Sequence, residues 1–307
     1  MPFSGNLIAQ VSLYPWPGVD NVPTVSQPVF DSNGNIWVAG YMNGGGGTRL
    51  AMIANPSWDF TDQGLVASYG ASPEAGGPLL AVDSSGETLY IGIYNSDSSN
   101  YDFYKYVIAT QTFSSIFTDV HFAQSLYNLS GGDYINQMMW DSVLEAIICP
   151  GYQSGDLYTF DPATGAVTNI ACDFGSLLRA YPTPDYIFTL SGSTGPDTAG
   201  PVLRKHRAFA YRSEYVGSGA NSYSGGGSSN PSPVAATSLY NTPAAVAGFP
   251  DGDFVIAAQE DGLWLVHDGT ATNFDTNGVY GPFANMTISA DGSTLLSINV
   301  RTMNVYT

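Results

Sequence analysis

The stretch PVFDSNGNIWVAG, Pro28 to Gly40, decides the fold. An apolar pair runs into a polar turn, Asp-Ser-Asn-Gly, and the chain leaves as Ile-Trp-Val-Ala, rich in β-branched and aromatic residues. Asp bonds the backbone just ahead of it and Gly takes a positive φ, so the segment reads as two strands joined by a tight turn. The plan recurs in LLAVDSSGETLYIGIY (Leu79 to Tyr94), where Asp83 and Gly86 stand at the places of Asp31 and Gly34. With Gly one place earlier it recurs in VAGFPDGDFVIAAQ (Val246 to Gln259) and MTISADGSTLLSINV (Met286 to Val300). Weaker copies are QMMWDSVLEAII (Gln137 to Ile148) and RAYPTPDYIFTLSG (Arg179 to Gly192).

Most copies are followed by a second pair of strands: RLAMIANPSWDFTDQGLVA, DFYKYVIATQTFSSIF, GDLYTFDPATGAVTNIA and GLWLVHDGTATNF. In the third of these, Asp161-Pro162 opens a turn that Gly165 closes. Each unit is therefore two hairpins, or four antiparallel strands. The markers Asp31, Asp83, Asp141, Asp185, Asp251 and Asp291 stand 52, 58, 44, 66 and 40 residues apart. A four-stranded unit recurring every 40 to 50 residues, roughly, is the mark of a propeller blade.

The expectation is an all-β, six-bladed β-propeller forming one domain over residues 1–307. Its blades fall at 24–68, 77–118, 134–173, 177–218, 244–275 and 283–307 plus 5–14. The interval from Asp185 to Asp251 leaves room for a degenerate seventh. The last copy, ending SINVRTMNVYT at Thr307, completes only three strands. NLIAQVSLYP, at Asn6 to Pro15, is a lone alternating strand that would pair beside Val300 to Tyr306 and close the ring, removing two exposed sheet edges.

The repeated D-x-x-G-x-(L/I)-(Y/W)-(V/I) resembles propellers of the NHL and gluconolactonase-like type. The resemblance implies an alternative activity, a metal-dependent lactonase or hydrolase with one calcium-type cation on the ring axis held by Glu, Asp and Asn oxygens. No motif carries those ligands to positions of this chain. The repeated Asp residues sit where turns use them, and Glu145 is the acidic residue to inspect should a metal be present.

Composition narrows the function. Hydrophobic residues make up 44% of the chain and charged residues 11%, against roughly 25% in an average soluble protein. The net charge is -18 and the only lysines are Lys105 and Lys205. Nucleic acids and anionic membranes need a basic footprint, so neither is an expected partner. No stretch approaches a membrane helix, and MPFSGNLIAQ lacks the basic start and apolar run of a leader. Cys149 and Cys172 read as two reduced, buried thiols.

Catalytic constellations are sparse. His121, His206 and His267 lie in three separate regions, which disfavours a histidine-based zinc site, and no G-x-S-x-G elbow occurs. SADGSTLL, Ser289 to Leu296, is similar to the Asp-box of sialidases, but Arg49, Arg179, Arg204, Arg207, Arg212 and Arg301 show no local context for an arginine triad. The tetraglycine of YMNGGGGTRL has no following helix or Lys and reads as a hairpin tip, not a phosphate loop.

No catalytic residue or cofactor is therefore assigned, and the expected function is a non-enzymatic binding or assembly module. A lysine-poor, Gly/Ser/Asn/Tyr-rich composition resembles accessory proteins of tailed-phage particles, which implies a virion or extracellular location. Its partners would be other virion proteins or a host-surface glycan or protein, and a homo-oligomer is compatible with it. Two nearly charge-free insertions, 191–201 and 216–243, read as contact loops, and TDVHFAQSLYNLSGGDYIN reads as holding a short helical turn. The basic run RKHR supplies Arg204, Lys205 and Arg207 as docking residues for an acidic neighbour. Tyr101, Tyr104, Tyr223 and Tyr240 are the loop aromatics expected to touch a partner, while Trp37, Tyr90, Tyr158 and Trp264 fall at core spacing.

Overall fold

A computed structural model describes residues 3–13, 24–42, 46–69, 77–95, 100–116, 135, 137–151, 157–171, 176–192, 199–206, 213–216, 233–235, 243–258, 262–276, 285–299 and 302–307. Among them the chain is all strand and turn, a β-propeller built from small antiparallel sheets.

Strand β1 (Leu7–Ser12) stands alone at the start. The first sheet follows with β2 (Thr24–Val25), β3 (Val29–Phe30), β4 (Ile36–Met42), β5 (Gly47–Ile53) and β6 (Phe60–Ala67). The second holds β7 (Leu79–Val82), β8 (Thr88–Asn95), β9 (Asn100–Val107) and β10 (Thr112–Ser115). The third holds β11 (Met139–Asp141), β12 (Ala146–Pro150), β13 (Leu157–Phe160) and β14 (Val167–Ala171). The fourth holds β15 (Ser176–Pro182), β16 (Tyr186–Gly192), β17 (Ala199–His206) and β18 (Ser213–Val216). Then come β19 (Val234–Ala235), β20 (Pro243–Gly248), β21 (Phe254–Ala258), β22 (Gly262–His267) and β23 (Thr270–Asp275) in a fifth sheet, and β24 (Asn285–Ile288), β25 (Leu295–Asn299) and β26 (Thr302–Tyr306) in a sixth.

The first strand of each unit faces its counterparts in the neighbouring units: β7 packs on β3 and β4, β11 on β7, β15 on β11, β20 on β15 and β24 on β20. The sixth sheet also packs on residues of the first. Val11, Leu13, Leu296, Ile298, Met303 and Val305 share one apolar layer with Val25, Ile36, Val38 and Ile53. Strand β1 supplies the outer strand of this last sheet, pairing antiparallel with β26 from Leu7 opposite Tyr306 to Ser12 opposite Thr302. Asn6 and Thr307 exchange two further backbone bonds at 3.0 Å.

The central strands β4, β8, β12 and β21 read as continuous apolar runs because both faces are covered by neighbouring sheets, not one face by water. Trp37, Tyr90, Tyr158 and Trp264 are buried in these layers, as their spacing predicts. Trp37 lies 5.5 Å from Tyr106 across the first and second sheets, and Phe103 lies 5.4 Å from Phe160 across the second and third.

The Asp-Gly turns take the expected form. Asp31 Oδ1 accepts from the Asn33 and Asn35 amides, both at 2.9 Å, and Gly34 closes the turn at φ 78°. Asp161 Oδ1 accepts from the Ala163 amide at 2.8 Å in the β13–β14 hairpin, and the Thr164 hydroxyl holds its carboxyl below the usual range. The third copy lacks the Gly, and Glu145 itself occupies the left-handed region at φ 49°. Glu145 thus lies in the β11–β12 turn.

The 216–243 insertion contributes to the sheets. Val234 and Ala235 pair with Ala271 and Thr270, so β19 covers the outer edge of the fifth sheet. Residues 117–134, with the expected helical turn, and the middle of the 191–201 insertion lie outside the described residues.

Cys149 is fully buried in β12, and desolvation pushes its thiol up to about 12. With Cys172 replaced by Ser, Cys149 is expected to resist a water-soluble disulfide reagent in the native protein and to react stoichiometrically once unfolded. Rapid native labelling would contradict the packing of the third sheet.

A candidate ligand site at the convergence of the first turns

The turns that join the first and second strands of the units converge on a cavity of about 740 Å³. It is walled by Asp31, Ser32 and Gly34 from the first unit, Asp83 to Gly86 from the second, and Trp140 and Ser142 from the third. The fourth unit adds Tyr181 to Pro184, the fifth Gly248 and Pro250, and the sixth Thr287 to Asp291 with Ser293 and Thr294. The hairpin plan read in the sequence is what brings these residues together, because every copy directs its first turn to the same end.

The walls are cross-tied between units. Ser32 N donates to Gly86 O at 3.1 Å. A Cβ at Gly86 would come 2.4 Å from that same Ser32 nitrogen, so only Gly fits. Tyr181 accepts from the Ile288 amide at 2.9 Å and joins the fourth unit to the sixth, and burial raises its phenol. Beneath the cavity, Gln137 donates through Nε2 to Gln27 Oε1 and accepts at Oε1 from the Ala180 amide at 2.8 Å. These buried amides link the first, third and fourth sheets, and next to them burial pulls the Arg179 guanidinium down to about 10.

The carboxylates are used unequally. Asp31 is 6% exposed and holds four donors, since Oδ2 also accepts from Asn35 Nδ2 and Trp37 Nε1, both at 3.0 Å. Asp291 takes the Ser289 hydroxyl at 2.6 Å and the Ser293 amide at 3.0 Å, bonds that keep its carboxyl below the usual range. Asp83 spends Oδ1 on the amides of Glu87 and Thr88 and on the Ser85 hydroxyl. No Lys, Arg or His lines the cavity among the described residues, and no group of three His, Cys, Asp or Glu among them is placed to hold a metal ion.

On one wall, Trp140 stacks on Tyr90 with ring centroids 5.7 Å apart and planes 8° from parallel. Its Nε1 donates to Ser84 Oγ at 2.7 Å, and Ser84 donates on to Glu145 Oε1 at 3.0 Å. The adjoining tip residues Val143 and Leu144 are 53% and 44% exposed. Trp140, Val143 and Leu144 belong to the weak third copy, where the sequence points only to Glu145. The available signal was an apolar Val-Leu pair where sister copies have Ser, Asn or Gly.

Two of the four aromatic residues that the sequence marks as loop contacts, Tyr101 and Tyr104, fall on a strand. Tyr101 is on β9 and buried, its hydroxyl accepting from the Ile135 amide at 3.0 Å, because the β8–β9 hairpin extends further than the polar stretch suggested. Tyr104, also on β9, is half-buried; its hydroxyl lies 2.6 Å from that of Tyr69, which burial and a bond to Asp102 push upward. Neither lines the cavity. In the basic run, the backbone register sets Arg204 opposite Glu214 and Lys205 opposite Ser213. Arg207, Tyr223 and Tyr240 lie outside the described residues.

In the fifth unit, His267 Nδ1 meets Asp253 Oδ2 at 2.6 Å. That hydrogen bond raises the imidazole, while burial raises the Asp253 carboxyl despite the bond. A raised histidine contributes stability below its unfolded value and loses that contribution as pH rises through the folded one. By NMR titration His267 is expected above the ordinary value of about 6.5, and Asp253→Asn should return it toward that value. An unchanged midpoint in the variant would refute the pair.

No protein-family model matches the chain, and no curated protein matches it. Solved structures do. A Bacteroides thetaiotaomicron protein of unknown function superposes with a TM-score of 0.59 at 14% identity, over 92% of this chain and 68% of the other. An auxiliary nutrient binding protein of the same organism gives 0.60 at 10% identity, over 91% and 68%. TolB from Acinetobacter baumannii gives 0.51 at 11% identity, over 93% of this chain and just 55% of its own length. At these identities the likeness is one of fold, and it places the chain among β-propellers.

Proposed function

We propose that the six sheets act as six blades of one closed ring, with β1 completing the last blade, and that the ring is a non-enzymatic binding module whose ligand site is the mouth formed by the first turns. The observation that carries this reading is the use made of the mouth carboxylates. Asp31 and Asp291 are spent on holding turns, which stiffens the rim and leaves them poorly suited to proton transfer. A rigid rim rich in hydroxyls suits recognition. The fold supports such a role elsewhere, in the nutrient-binding protein it resembles.

The composition extends the reading to an accessory protein of a phage particle that meets a host surface or a neighbouring virion protein. Arg204, Lys205 and Arg207 form a second docking position. The test is native mass spectrometry of protein purified without chelator, paired with a panel of lactones and esters and with proteomics of purified particles. A metal-free species without turnover, recovered in particles, is the expected result. A stoichiometric divalent ion accompanied by lactone turnover would overturn it in favour of the gluconolactonase-like alternative.

A further inference from the structure

Resting on the reading that the mouth is the ligand site, we infer that its second and third turns build a subsite for a neutral saccharide, with Trp140 as the platform for a sugar ring. Stacking on Tyr90 fixes the plane of the indole. Its one donor is already given to Ser84, whose hydroxyl proton is given to Glu145. What Trp140 offers an incoming ligand is therefore apolar ring surface, which the C–H face of a pyranose matches.

Two acceptors accompany that surface: Asp83 lines the cavity, and Glu145 is tied to the cavity-lining Ser84. Among the described residues, Asp83 Oδ2 and Glu145 Oε2 take no hydrogen bond, and each is carried on a turn that its other oxygen helps to anchor. Sugar hydroxyls donate well to carboxylates, and such charge-assisted bonds are the strong ones. The rim hydroxyls of Ser32 and Ser142 can both donate and accept, which a polyol can use and a bare cation cannot.

Three further observations favour this place and this class. Glu145 keeps a strained left-handed backbone, one place beyond the position where the first and second copies have Gly34 and Gly86, a cost that a binding role accounts for. Val143 and Leu144 expose large apolar side chains on the same turn, beside the platform. Among the described residues the lining holds no cationic side chain and the chain carries -18, so sialylated, sulfated or phosphorylated ligands are disfavoured. The cavity, at about 740 Å³, lies within the usual range for small-molecule sites, roughly 300–1,000 Å³.

The test is a glycan array carrying neutral hexose-terminated oligosaccharides beside sialylated and sulfated ones, probed with the full chain, followed by calorimetric titration of a neutral hit. The expected result is neutral binding, weakened at least tenfold by Trp140→Ala and several-fold by Glu145→Gly. The second variant relieves backbone strain, so its Tm should hold or rise, and its loss of affinity cannot be put down to misfolding. Binding confined to anionic glycans, no glycan binding, or neutral binding untouched by both variants overturns the inference. Ser293→Trp, which obstructs the sixth-unit side of the mouth, separates the two readings. Adsorption to host cells or particles lost in Ser293→Trp without any neutral-glycan binding keeps the mouth and removes the saccharide; adsorption indifferent to Ser293→Trp removes the mouth as well.

Discussion

Excision of residues 1–13 is expected to abolish the cooperative fold. Strand β1 is separated from its partner β26 by almost the whole chain, yet it completes the sixth sheet and buries Val11 and Leu13 in the layer shared with the first. Without it β26 becomes an unpaired edge, and unpaired edges recruit other chains. Leu13 is fully buried, so Leu13→Ala by itself should cost about 2–5 kcal/mol. Total stability of a domain is only about 5–15 kcal/mol, so losing that side chain together with Val11 and the whole β1–β26 ladder exceeds what the fold can spare. The readouts are thermal circular dichroism and size exclusion: a broad or absent transition with self-association is expected. A truncated chain that melts as sharply as the full one, at the same temperature, would mean that the β1–β26 pairing does not hold the fold together.

The second large effect is at Asp31. Asp31→Ala removes acceptors for two turn amides, the Asn35 amide side chain and the buried indole N–H of Trp37. An ordinary hydrogen bond contributes about 0.5–1.5 kcal/mol net, and orphaning a buried donor adds the cost of its desolvation. The expected loss is about 3–5 kcal/mol, read as a lower urea midpoint at unchanged m. Asp83 occupies the same repeat position, but its acceptors serve a half-buried turn and no indole. Asp83→Ala should cost about 1 kcal/mol. Equal losses at the two positions would show that the repeat position, not the indole bond, sets the stability of the turn.

That contrast shows how far the repeats could be read. Both Asp residues were legible as turn formers, because Asp with a following Gly has a local meaning that survives in any context. The same holds for Gly165 in the β13–β14 hairpin, and for β1, whose alternation without an adjacent partner pointed to a distant one. Tyr101 was misplaced for the complementary reason. A run such as NSDSSNYDFY looks like loop by composition, while the tertiary register extends the β8–β9 pairing to Asn95 opposite Asn100 and draws Tyr101 into the interior.

The amino-acid sequence by itself determined the repeated unit, its four antiparallel strands and the turn residues, since each is set by contacts a few residues apart. Only the tertiary structure decided which side chains meet at the mouth. Trp140, Tyr90, Ser84 and Glu145 come from two different units, and their pairing depends on how neighbouring sheets pack, a relation with no local signature. The same packing separates Asp31, sealed against Trp37, from Asp83, open to the cavity. The same repeat position is thus sealed in one copy and open to the cavity in the next.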